Sequence, residues 1–305
     1  MIHGVINIYK EAGFTSHDVV AKLRGILKQK KIGHTGTLDP AAVGVLPVCL
    51  GKGTRLCDML TDKRKTYRTV MLLGTRTDTQ DTTGTVLSTQ DTAVLTEAAV
   101  RETAARFIGP YQQIPPMYSA LKVNGTRLYD LARQGKEVER QARPVEIYEL
   151  IVESVDLPRV TMTVTCSKGT YIRTLCHDIG ESLGCGACME QLTRTRVERF
   201  TIEDSLTLSE VETLMRAGRI QEAVIPVDEM FSRYPAYISG NQELDKLLSN
   251  GNTFSEDLAK DLAKPEGAAE SWVRIYDSGR RFIGIYEYHE DTGRWKPKKI
   301  FLGGD

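Results

Sequence analysis

The stretch GHTGTLDPAAVGVLPVCLG, residues 33–51, sets one histidine, two threonines and one aspartate among glycines. Asp39 comes directly before Pro40, whose ring stiffens the loop and disfavours helical geometry at the preceding residue. The glycines let the backbone approach a large ligand closely. A carboxylate held in a stiff loop suits covalent or acid–base chemistry, although an aspartate before proline is also a common turn former.

Two other motifs in this part of the chain could suggest a bound nucleotide or metal. A phosphate-binding loop needs the pattern G-x-x-x-x-G-K-[ST], but Gly44 precedes Gly51 by seven residues and Gly53 occupies the position of the Ser or Thr. Asp78 and Asp81 lie in the Thr-rich run TDTQD, which is more typical of a turn than of a metal site. The sequence therefore predicts neither a nucleotide cofactor nor a metal ion here.

The six cysteines do not follow a regular spacing. Residues 185–188, CGAC, have the C-x-x-C spacing of some zinc sites, and Cys176 and His177 lie nearby. Neighbouring residues on a helix point in different directions, whereas zinc ligands must converge. We therefore interpret the cysteines as reduced, mostly buried thiols.

Charge is distributed unevenly along a chain whose formal net charge is zero. Residues 1–68 contain 12 Lys and Arg and 5 acidic residues, a net charge of +7, whereas residues 201–270 contain 6 basic and 14 acidic residues, a net charge of −8. A local basic face is what contacts with nucleic-acid phosphates require, and the basic runs at 22–31 and 63–68 could supply it. An ordinary solvated surface is the alternative.

Two segments place aromatic rings beside cations. Tyr67 lies in KRKTYR, an arrangement that can stack a nucleobase while the cations hold its backbone. Tyr171 and Arg173 lie in SKGTYIR at the entry to a predicted helix, where an arginine can pair with a buried carboxylate. The alternatives are an ordinary strand tyrosine and a surface arginine.

The hydrophobic pattern predicts an α+β fold with a largely antiparallel sheet. We expect helices at 16–29, capped near Thr15, at 96–109 and at 170–184, and strands at 65–74, 84–89, 145–155 and 159–167. Residues 33–42 are expected to form a loop, and the apolar run after them a buried strand or turn. A change in composition near residue 235 predicts two domains, 1–234 and 235–305, the second small and rich in β-strands, with a polar loop before its last strands.

The 305-residue chain has 41% hydrophobic residues, as expected for a globular protein. It has no apolar run of the roughly 18–20 residues that span a bilayer, and its first residues, MIHGVINIYKEAG, do not resemble a signal peptide. The sequence therefore predicts a cytoplasmic protein without a membrane partner.

Four segments together resemble the TruB family, the tRNA pseudouridine synthases that act on uridine 55 in the T loop. They are GHTGTLDPAAVGVLPVCLGKGTR, KTYRTVMLLGTRTDTQDTTG, QIPPMYSALKVNGTRLYDLARQGKEVERQARPV and CSKGTYIRTLCHDIGESLGCGACMEQLTRTRVERF. They occur in order over roughly residues 3–230. The C-terminal domain resembles the PUA-like RNA-binding domains that commonly follow. The resemblance implies a pseudouridine-synthase catalytic domain with a mixed sheet flanked by helices.

The same resemblance implies a role for each site residue. Asp39 would be the catalytic nucleophile and Arg173 its partner. Tyr67 would pack on the target base, and Tyr171 and Leu192 would also contact it. His34 would fill the place of the flipped nucleotide, and Lys10 would support the loop or contact RNA. Glu11 stands where the family usually has proline, and residues 41–43, AAV, replace a more usual LAT, so we expect local differences in the loop.

Converting uridine to pseudouridine breaks a C1′–N1 bond and makes a C1′–C5 bond, so the reaction needs no cofactor. It needs a carboxylate that attacks the nucleotide covalently or assists the formation of a glycal. The partner implied is the T arm of tRNA, with the protein acting as a monomer. Two alternatives stay open: a non-catalytic RNA-binding or tRNA-chaperone protein, and a synthase that modifies another RNA.

Overall fold

The computed structural model describes residues 1–61, 63–123, 125–262 and 272–303. The first strand, β1 (Gly4–Lys10), is buried along almost its whole length. A strand covered on both faces is nearly continuous in its apolar residues, which fits GVINIYK and places β1 inside a sheet.

The N-terminal part of the chain contains the following elements. The helices are α1 (Ser16–Leu27), α2 (Cys57–Thr61), α3 (Glu97–Ala105), α4 (Leu128–Arg133), α5 (Ile172–Ser182) and α6 (Leu208–Arg216). The strands after β1 are β2 (Ile32–His34), β3 (Val43–Leu50), β4 (Lys65–Leu73), β5 (Thr75–Thr77), β6 (Val86–Thr89), β7 (Gly109–Gln113), β8 (Lys122–Val123), β9 (Thr126–Arg127), β10 (Arg143–Asp156), β11 (Arg159–Cys166), β12 (Ala187–Val197), β13 (Phe200–Thr201) and β14 (Val224–Ile225).

A ten-stranded sheet organises this part of the chain, in the order β14-β1-β3-β12-β4-β11-β10-β7, with β2 beside β3 and β13 beside β12. All of these pairs are antiparallel except β3–β12, which is parallel over Thr193↔Val43 and Arg194↔Gly44. A Cβ on Gly44, whose φ is +106°, would lie 2.2 Å from the carbonyl oxygen of Arg194. Only glycine fits this junction, and the predicted largely antiparallel mixed sheet is confirmed.

Helix α1 begins as predicted. The Thr15 side chain accepts a hydrogen bond from the backbone of Asp18, and the Asp18 side chain accepts one from the backbone of Thr15, a reciprocal capping box. The helix ends at Leu27, two residues before the predicted end, because Lys28 adopts a left-handed conformation with φ of 49°. Its buried face packs on β1 and β3.

Other sequence predictions about element bounds were also wrong, and two of them matter for the site. Gly33 and His34 belong to β2 and pair with Cys49 and Val48, so the loop begins only after His34. Helix α3 ends at Ala105 and does not reach Gly109, because Gly109 begins β7 and pairs with Ile147 of β10. Strand pairing therefore overrides helical propensity at this end.

The C-terminal part forms a second sheet. Its elements are β15 (Ala236–Ile238), α7 (Gln242–Leu248), β16 (Phe254–Ser255), β17 (Trp272–Tyr276), β18 (Phe282–His289) and β19 (Arg294–Ile300), with strand order β15-β17-β18-β19-β16. This is the small β-rich domain predicted. Residues 263–271 of the predicted polar loop lie outside the described residues.

The two sheets share an apolar cluster. The ring of Phe231 lies 6.3 Å from that of Phe282 and 5.8 Å from that of Phe301, and the same cluster includes Val5 and Val45 of the first sheet. The C-terminal part is therefore packed directly on the back of β1 and β3. Within the described ranges, no helix combines the length and hydropathy needed to cross a bilayer.

Candidate active site

The loop that carries Asp39 is fixed at several points. The backbone and hydroxyl of Thr35 both donate to the carbonyl of Pro47, at 3.2 and 3.1 Å. The backbone of Leu38 donates to the buried hydroxyl of Ser16 at 3.0 Å, and that of Ala42 donates to the carbonyl of Asp39 at 3.0 Å. The loop is thus tied to β3, to α1 and to itself.

Lys10 ties the same loop to the end of β1. Its side chain is fully buried, and Nζ donates to the carbonyls of Glu11, Phe14 and Pro40 at 3.1, 2.7 and 3.2 Å. Burial lowers the pKa of Lys10 to about 8, an effect that the Asp39 carboxylate opposes. Lys10 was predicted either to support the loop or to contact RNA, and these bonds are of the kind that supports the loop.

Asp39 and Arg173 form an ion pair with two contacts. Arg173 Nε lies 3.0 Å from Asp39 Oδ2, and Nη2 lies 3.4 Å from Oδ1. The Asp39 side chain is 41% exposed, whereas that of Arg173 is 6% exposed. The carboxylate is therefore reachable from solvent while a buried guanidinium holds its orientation from behind.

Helix α5 positions Arg173 at its first turn. Tyr171, the residue before the helix, is held by the buried amide of Gln113: the Tyr171 backbone donates to Gln113 Oε1 at 2.8 Å, and Gln113 Nε2 donates back to the Tyr171 carbonyl at 3.0 Å. Arg173 also donates from Nη1 to the carbonyl of Thr79 at 3.1 Å and from Nη2 to that of Tyr118 at 2.9 Å. The guanidinium is thus held by three different segments of the chain.

The Thr-rich turn between β5 and β6 supplies a second carboxylate to Arg173. Asp81 Oδ2 lies 3.7 Å from Arg173 Nη1. Asp81 Oδ1 accepts hydrogen bonds from the hydroxyl of Thr79 at 2.8 Å and from the backbone and hydroxyl of Thr83 at 3.0 and 2.5 Å. Asp78 only forms the turn, since its Oδ1 accepts from the backbone of Thr85 at 2.7 Å.

Tyr67 and Arg194 lie side by side on β4 and β12, where they are paired in register. Arg194 is 1% exposed, and its Nε donates to the carbonyl of Val45 at 2.7 Å, whereas Nη2 has no hydrogen-bond partner among the described residues. Burial raises the pKa of Tyr67, although the neighbouring Arg194 acts in the opposite direction. The Tyr67 phenol is therefore neutral at neutral pH.

The predicted base-contacting residues lie around this point. Leu192 of β12 packs against an apolar cluster that contains Leu38 of the loop and Tyr67. Tyr171 is half-buried, and burial raises its pKa, an effect opposed by Ser119 and Arg173. The fold thus brings together side chains that are far apart in the sequence around one exposed carboxylate.

His34 ends β2 at the edge of the loop. Its ring meets that of His17 edge-on at a centroid distance of 5.1 Å, and its Nδ1 accepts a hydrogen bond from the backbone of Gly36 at 3.3 Å. Burial is the main cause that lowers the pKa of His34, followed by the charges of His17 and Arg194. The imidazole is therefore neutral at pH 7 and presents an uncharged ring.

The two basic runs differ in how much of their charge faces solvent. In the second run, Arg68 pairs with Glu153 at 2.8 Å and the Arg64 guanidinium lies 4.0 Å over the ring of Tyr148. Lys65 is buried and donates to the carbonyls of Thr61 and Lys63. The first run, residues 22–31, keeps its lysines exposed, so it is the better placed of the two for contacts with phosphates.

Sequence reasoning missed Arg194 and the pairing of Asp81. The buried positions of β12 do not alternate, because register shifts at Met189/Gln191 and Arg194/Arg196 interrupt the strand, so its sequence shows no clear periodic pattern. The signal for Asp81 was present in TDTQD, but its partner lies 92 positions later in the chain. Within the described residues, no group of His, Cys, Asp and Glu is arranged to hold a metal ion.

Solved structures share this fold. The structure of an H/ACA RNP bound to a substrate RNA containing 2'-deoxyuridine contains a chain with a TM-score of 0.70 and 25% identity, covering 99% of this chain and 86% of that one. A chain of a Cbf5-Nop10-Gar1 complex gives a TM-score of 0.69 and 26% identity, covering 98% and 85%.

Sequence relatives are more similar. The tRNA pseudouridine synthase B of Lachnoclostridium phytofermentans is 50% identical over 309 residues, which cover 99% of this chain and all of that protein. That of Clostridium tetani is 44% identical over 284 residues, covering 93% and 95%. Residues 24–172 match the model of the TruB family pseudouridylate synthase N-terminal domain, and residues 173–232 match that of the tRNA pseudouridylate synthase B C-terminal domain. The chain belongs to the TruB family of pseudouridylate synthases.

Proposed function

We propose that the protein isomerises uridine to pseudouridine at position 55 in the T loop of tRNA, with Asp39 as the nucleophile on a flipped-out nucleotide. The observation that carries this proposal is the half-exposed Asp39 carboxylate held from behind by the buried Arg173 guanidinium. The names of the relatives, tRNA pseudouridine synthase B, support tRNA as the substrate.

Asp39 acts on the sugar or the base. Its carboxylate either attacks the nucleotide covalently or assists the formation of a glycal, and in both routes the C1′–N1 bond breaks before the C1′–C5 bond forms. The two contacts with Arg173 keep one carboxylate geometry, which lowers the cost of orienting the reacting atoms. The hydrogen on C5 is lost and N1 gains one, so the product is an isomer of the substrate.

Tyr67 packs its ring against the target uracil. Burial raises the pKa of Tyr67, so little phenolate is present at neutral pH, and we assign its ring to stacking on the uracil. Leu192 and Tyr171 complete the walls, because Leu192 packs against the cluster that contains Tyr67 and the charges of Arg173 and Asp39 act on the Tyr171 phenol. A base packed against these side chains shields the reacting bonds from water.

Extracting a base from a folded T loop costs a few kcal/mol. Exposed lysines of residues 22–31 offset this cost through contacts with phosphates. His34 offsets it by stacking, since its ring is neutral and lies at the edge of the Asp39 loop. Lys10 contributes by holding the loop through the Pro40 carbonyl.

The domain division proposed is 1–234 for catalysis and 235–305 for a PUA-like domain that binds RNA. The separate sheets support this division, because β14 pairs in the first sheet and β15, which begins at Ala236, pairs in the second. The protein acts as a monomer in the cytoplasm, where its tRNA substrate is found.

The test is tritium release from a T-arm transcript that carries 5-tritiated uridine. The wild-type protein should release tritium from the target uridine only, and a transcript with cytidine at that position should release none. Asp39→Asn should bind the transcript within a few fold of wild type and release nothing. Tritium release by Asp39→Asn at a rate near wild type contradicts the assignment of the nucleophile.

A synthase that modifies another RNA is the second candidate. It is favoured by the likeness to chains from H/ACA ribonucleoprotein structures, one of them bound to a substrate RNA. The two candidates are separated by mapping pseudouridine in total RNA after the gene is deleted. Loss confined to position 55 of tRNA supports the first, and loss elsewhere with position 55 intact supports the second.

A further inference from the structure

Two cysteines that the reaction does not use lie next to each other behind the Asp39 loop. Cys49 is on β3 and fully buried, whereas Cys57 begins α2 and is partly exposed. Cys49 pairs in register with Gly33 of β2, and directly paired antiparallel residues point their side chains to the same face, with Cβ atoms about 4.5–5.5 Å apart. Cys57 Sγ lies 3.1 Å from the position of a Cβ on Gly33, so both thiols occupy the same small space.

The two thiols are unequal. The interaction between the two thiols is the first cause that lowers the pKa of Cys57 and raises that of Cys49. Burial adds to the rise of the pKa at Cys49. At Cys57, burial and the charge of Asp58 oppose the fall of the pKa, and Lys299 of the C-terminal sheet adds to it. The partly exposed Cys57 thiol is thus the one that ionises more readily, which is the property that makes a cysteine reactive towards oxidants.

We propose that Cys49 and Cys57 form a modification site at which a peroxide converts the two thiols to an intramolecular disulfide. The Cys57 thiolate attacks one peroxide oxygen, the O–O bond breaks, and the leaving hydroxide takes up a proton to become water. Cys57 is then a sulfenic acid. The Cys49 sulfur attacks Cys57 Sγ, the S–O bond breaks, and hydroxide leaves with the Cys49 proton as a second water. The two sulfurs lose two electrons together, and the peroxide gains them.

The new bond changes contacts on both sides of the pair. A disulfide is about 2.05 Å long, so forming it brings Cys57 Sγ closer to Cys49 and changes its contact beside Gly33. Gly33 is followed by His34 at the end of β2, and the segment before Cys57 contacts the C-terminal sheet through Arg55 Nη1, which donates to the carbonyl of Ile300 at 2.5 Å. On the basis of the function proposed above, we expect oxidation to slow tRNA modification severalfold, reversibly.

The full-length protein is treated with hydrogen peroxide and its thiols are counted by alkylation and intact mass. Trypsin cleaves after Lys52 and Arg55, so the disulfide joins two separate peptides, residues 32–52 and 56–63, whereas Cys176, Cys185 and Cys188 share one other peptide. We expect the loss of two hydrogens, a cross-link between residues 32–52 and 56–63, and full reversal by dithiothreitol. A cross-link between any other pair, or no cross-link, overturns the proposal.

Variants separate the steps. Cys49→Ser should accumulate a sulfenic acid on Cys57 that dimedone traps, and Cys57→Ser should leave Cys49 unreacted. Cys185→Ser, which keeps the pair, should oxidise like wild type. Equal oxidation of Cys49 in Cys57→Ser overturns the order of steps. Counting the thiols needs no RNA, so the disulfide proposal can be tested even if the proposed function is wrong. If the oxidised protein releases tritium at the wild-type rate, only the expected effect of the disulfide on tRNA modification through β2 is overturned.

Discussion

The two walls that hold Asp39 each contain a buried cation, but the cations act on different groups. In the wall built from β1 and the loop, Lys10 is fully buried and donates only to backbone carbonyls, one of them that of Pro40. In the wall built from α5, Arg173 is 5% exposed and contacts the carboxylates of Asp39 and Asp81. One wall therefore fixes the backbone of the loop, and the other fixes the reacting group itself.

The difference follows from the chemistry of the two side chains. An ammonium is a compact charge with three donors, and its bonds to three carbonyls use all of them. A guanidinium has five donors in a planar fork that matches a carboxylate, so it can bridge two acids and two carbonyls at once. We therefore expect changes to the Arg173 wall to reduce the rate of the chemical step more than changes to the Lys10 wall.

Arg173→Lys should have the largest effect. A lysine keeps the charge but has no planar fork, so it loses the two-point contact with Asp39 and the bonds to Thr79 or Tyr118. A displacement of about 1 Å in a reacting group can cost about 100-fold in rate, and we expect at least that in single-turnover tritium release, with the Kd for the transcript within a few fold of wild type.

The matched control is Arg159→Lys, which changes an exposed arginine paired with Glu190 at 2.9 Å on the same sheet. This variant should keep the wild-type rate, since exposed ion pairs contribute little. A normal rate in Arg173→Lys would show that the charge alone is sufficient and that the fork geometry is not used.

Asp81→Asn should have the next largest effect. The substitution keeps an oxygen for Thr79 and Thr83 but replaces Oδ2, 3.7 Å from Arg173 Nη1, with an amide that cannot balance the guanidinium charge. We expect a fall of about 30-fold in the single-turnover rate, equivalent to about 2 kcal/mol of lost transition-state stabilisation. Asp78→Asn, in the same turn, changes a carboxylate that bonds only the Thr85 backbone, and it should remain close to wild type.

The sequence predicted those features of the fold that depend on residues close together in the chain. The capping box of α1 and the alternation of β4, whose buried positions include Tyr67, depend on neighbouring residues and were read correctly. The parallel junction of β3 and β12 was not, because it joins residues about 150 positions apart and β12 carries a buried arginine where a pattern of apolar residues is expected.

The site residues show the same division. Asp39 was identified from its loop and from the family resemblance, and its role remains a proposal. That Arg173 lies next to Asp39 came from the resemblance alone, since 134 positions separate them. The pairing of Arg173 with Asp81 needed the three-dimensional structure, because a Thr-rich turn with two aspartates has the same sequence whether or not a cation lies beside it.

Lys10 should give a smaller effect that depends on pH. Its pKa is lowered from 10.5 to about 8, so above about pH 8 it has two N–H donors for three carbonyls and the loop loses a bond. The single-turnover rate should therefore fall as pH rises through about 8. Lys10→Met should lack this alkaline fall and show a rate about tenfold lower at neutral pH, a loss of about 1.4 kcal/mol of transition-state stabilisation, because it removes all three bonds from Nζ to the carbonyls.

Folding stability should change in the opposite direction. Between about pH 8 and 10.5 the unfolded state, whose Lys10 keeps the ordinary pKa, binds more protons than the folded state, so the contribution of this group to stability rises with pH. Two results would contradict a role for Lys10 in holding the loop. In the first, the rate and the free energy of unfolding of the wild-type protein fall together as pH rises. In the second, the rate of Lys10→Met still falls at alkaline pH.

His34 should give the smallest effect, because it belongs to neither wall and acts on RNA through its ring. Stacking of a base on an aromatic side chain contributes about 1–3 kcal/mol, and His34→Ala at the lower end of this range should lose about fivefold in single-turnover rate. Since burial lowers the pKa of His34 and leaves the ring neutral at pH 7, His34→Phe should recover most of that loss. If His34→Phe is as slow as His34→Ala while His34→Gln restores the rate, the side chain acts by hydrogen bonding. Its bond with the Gly36 backbone at 3.3 Å would then make His34 part of the loop wall that Lys10 anchors.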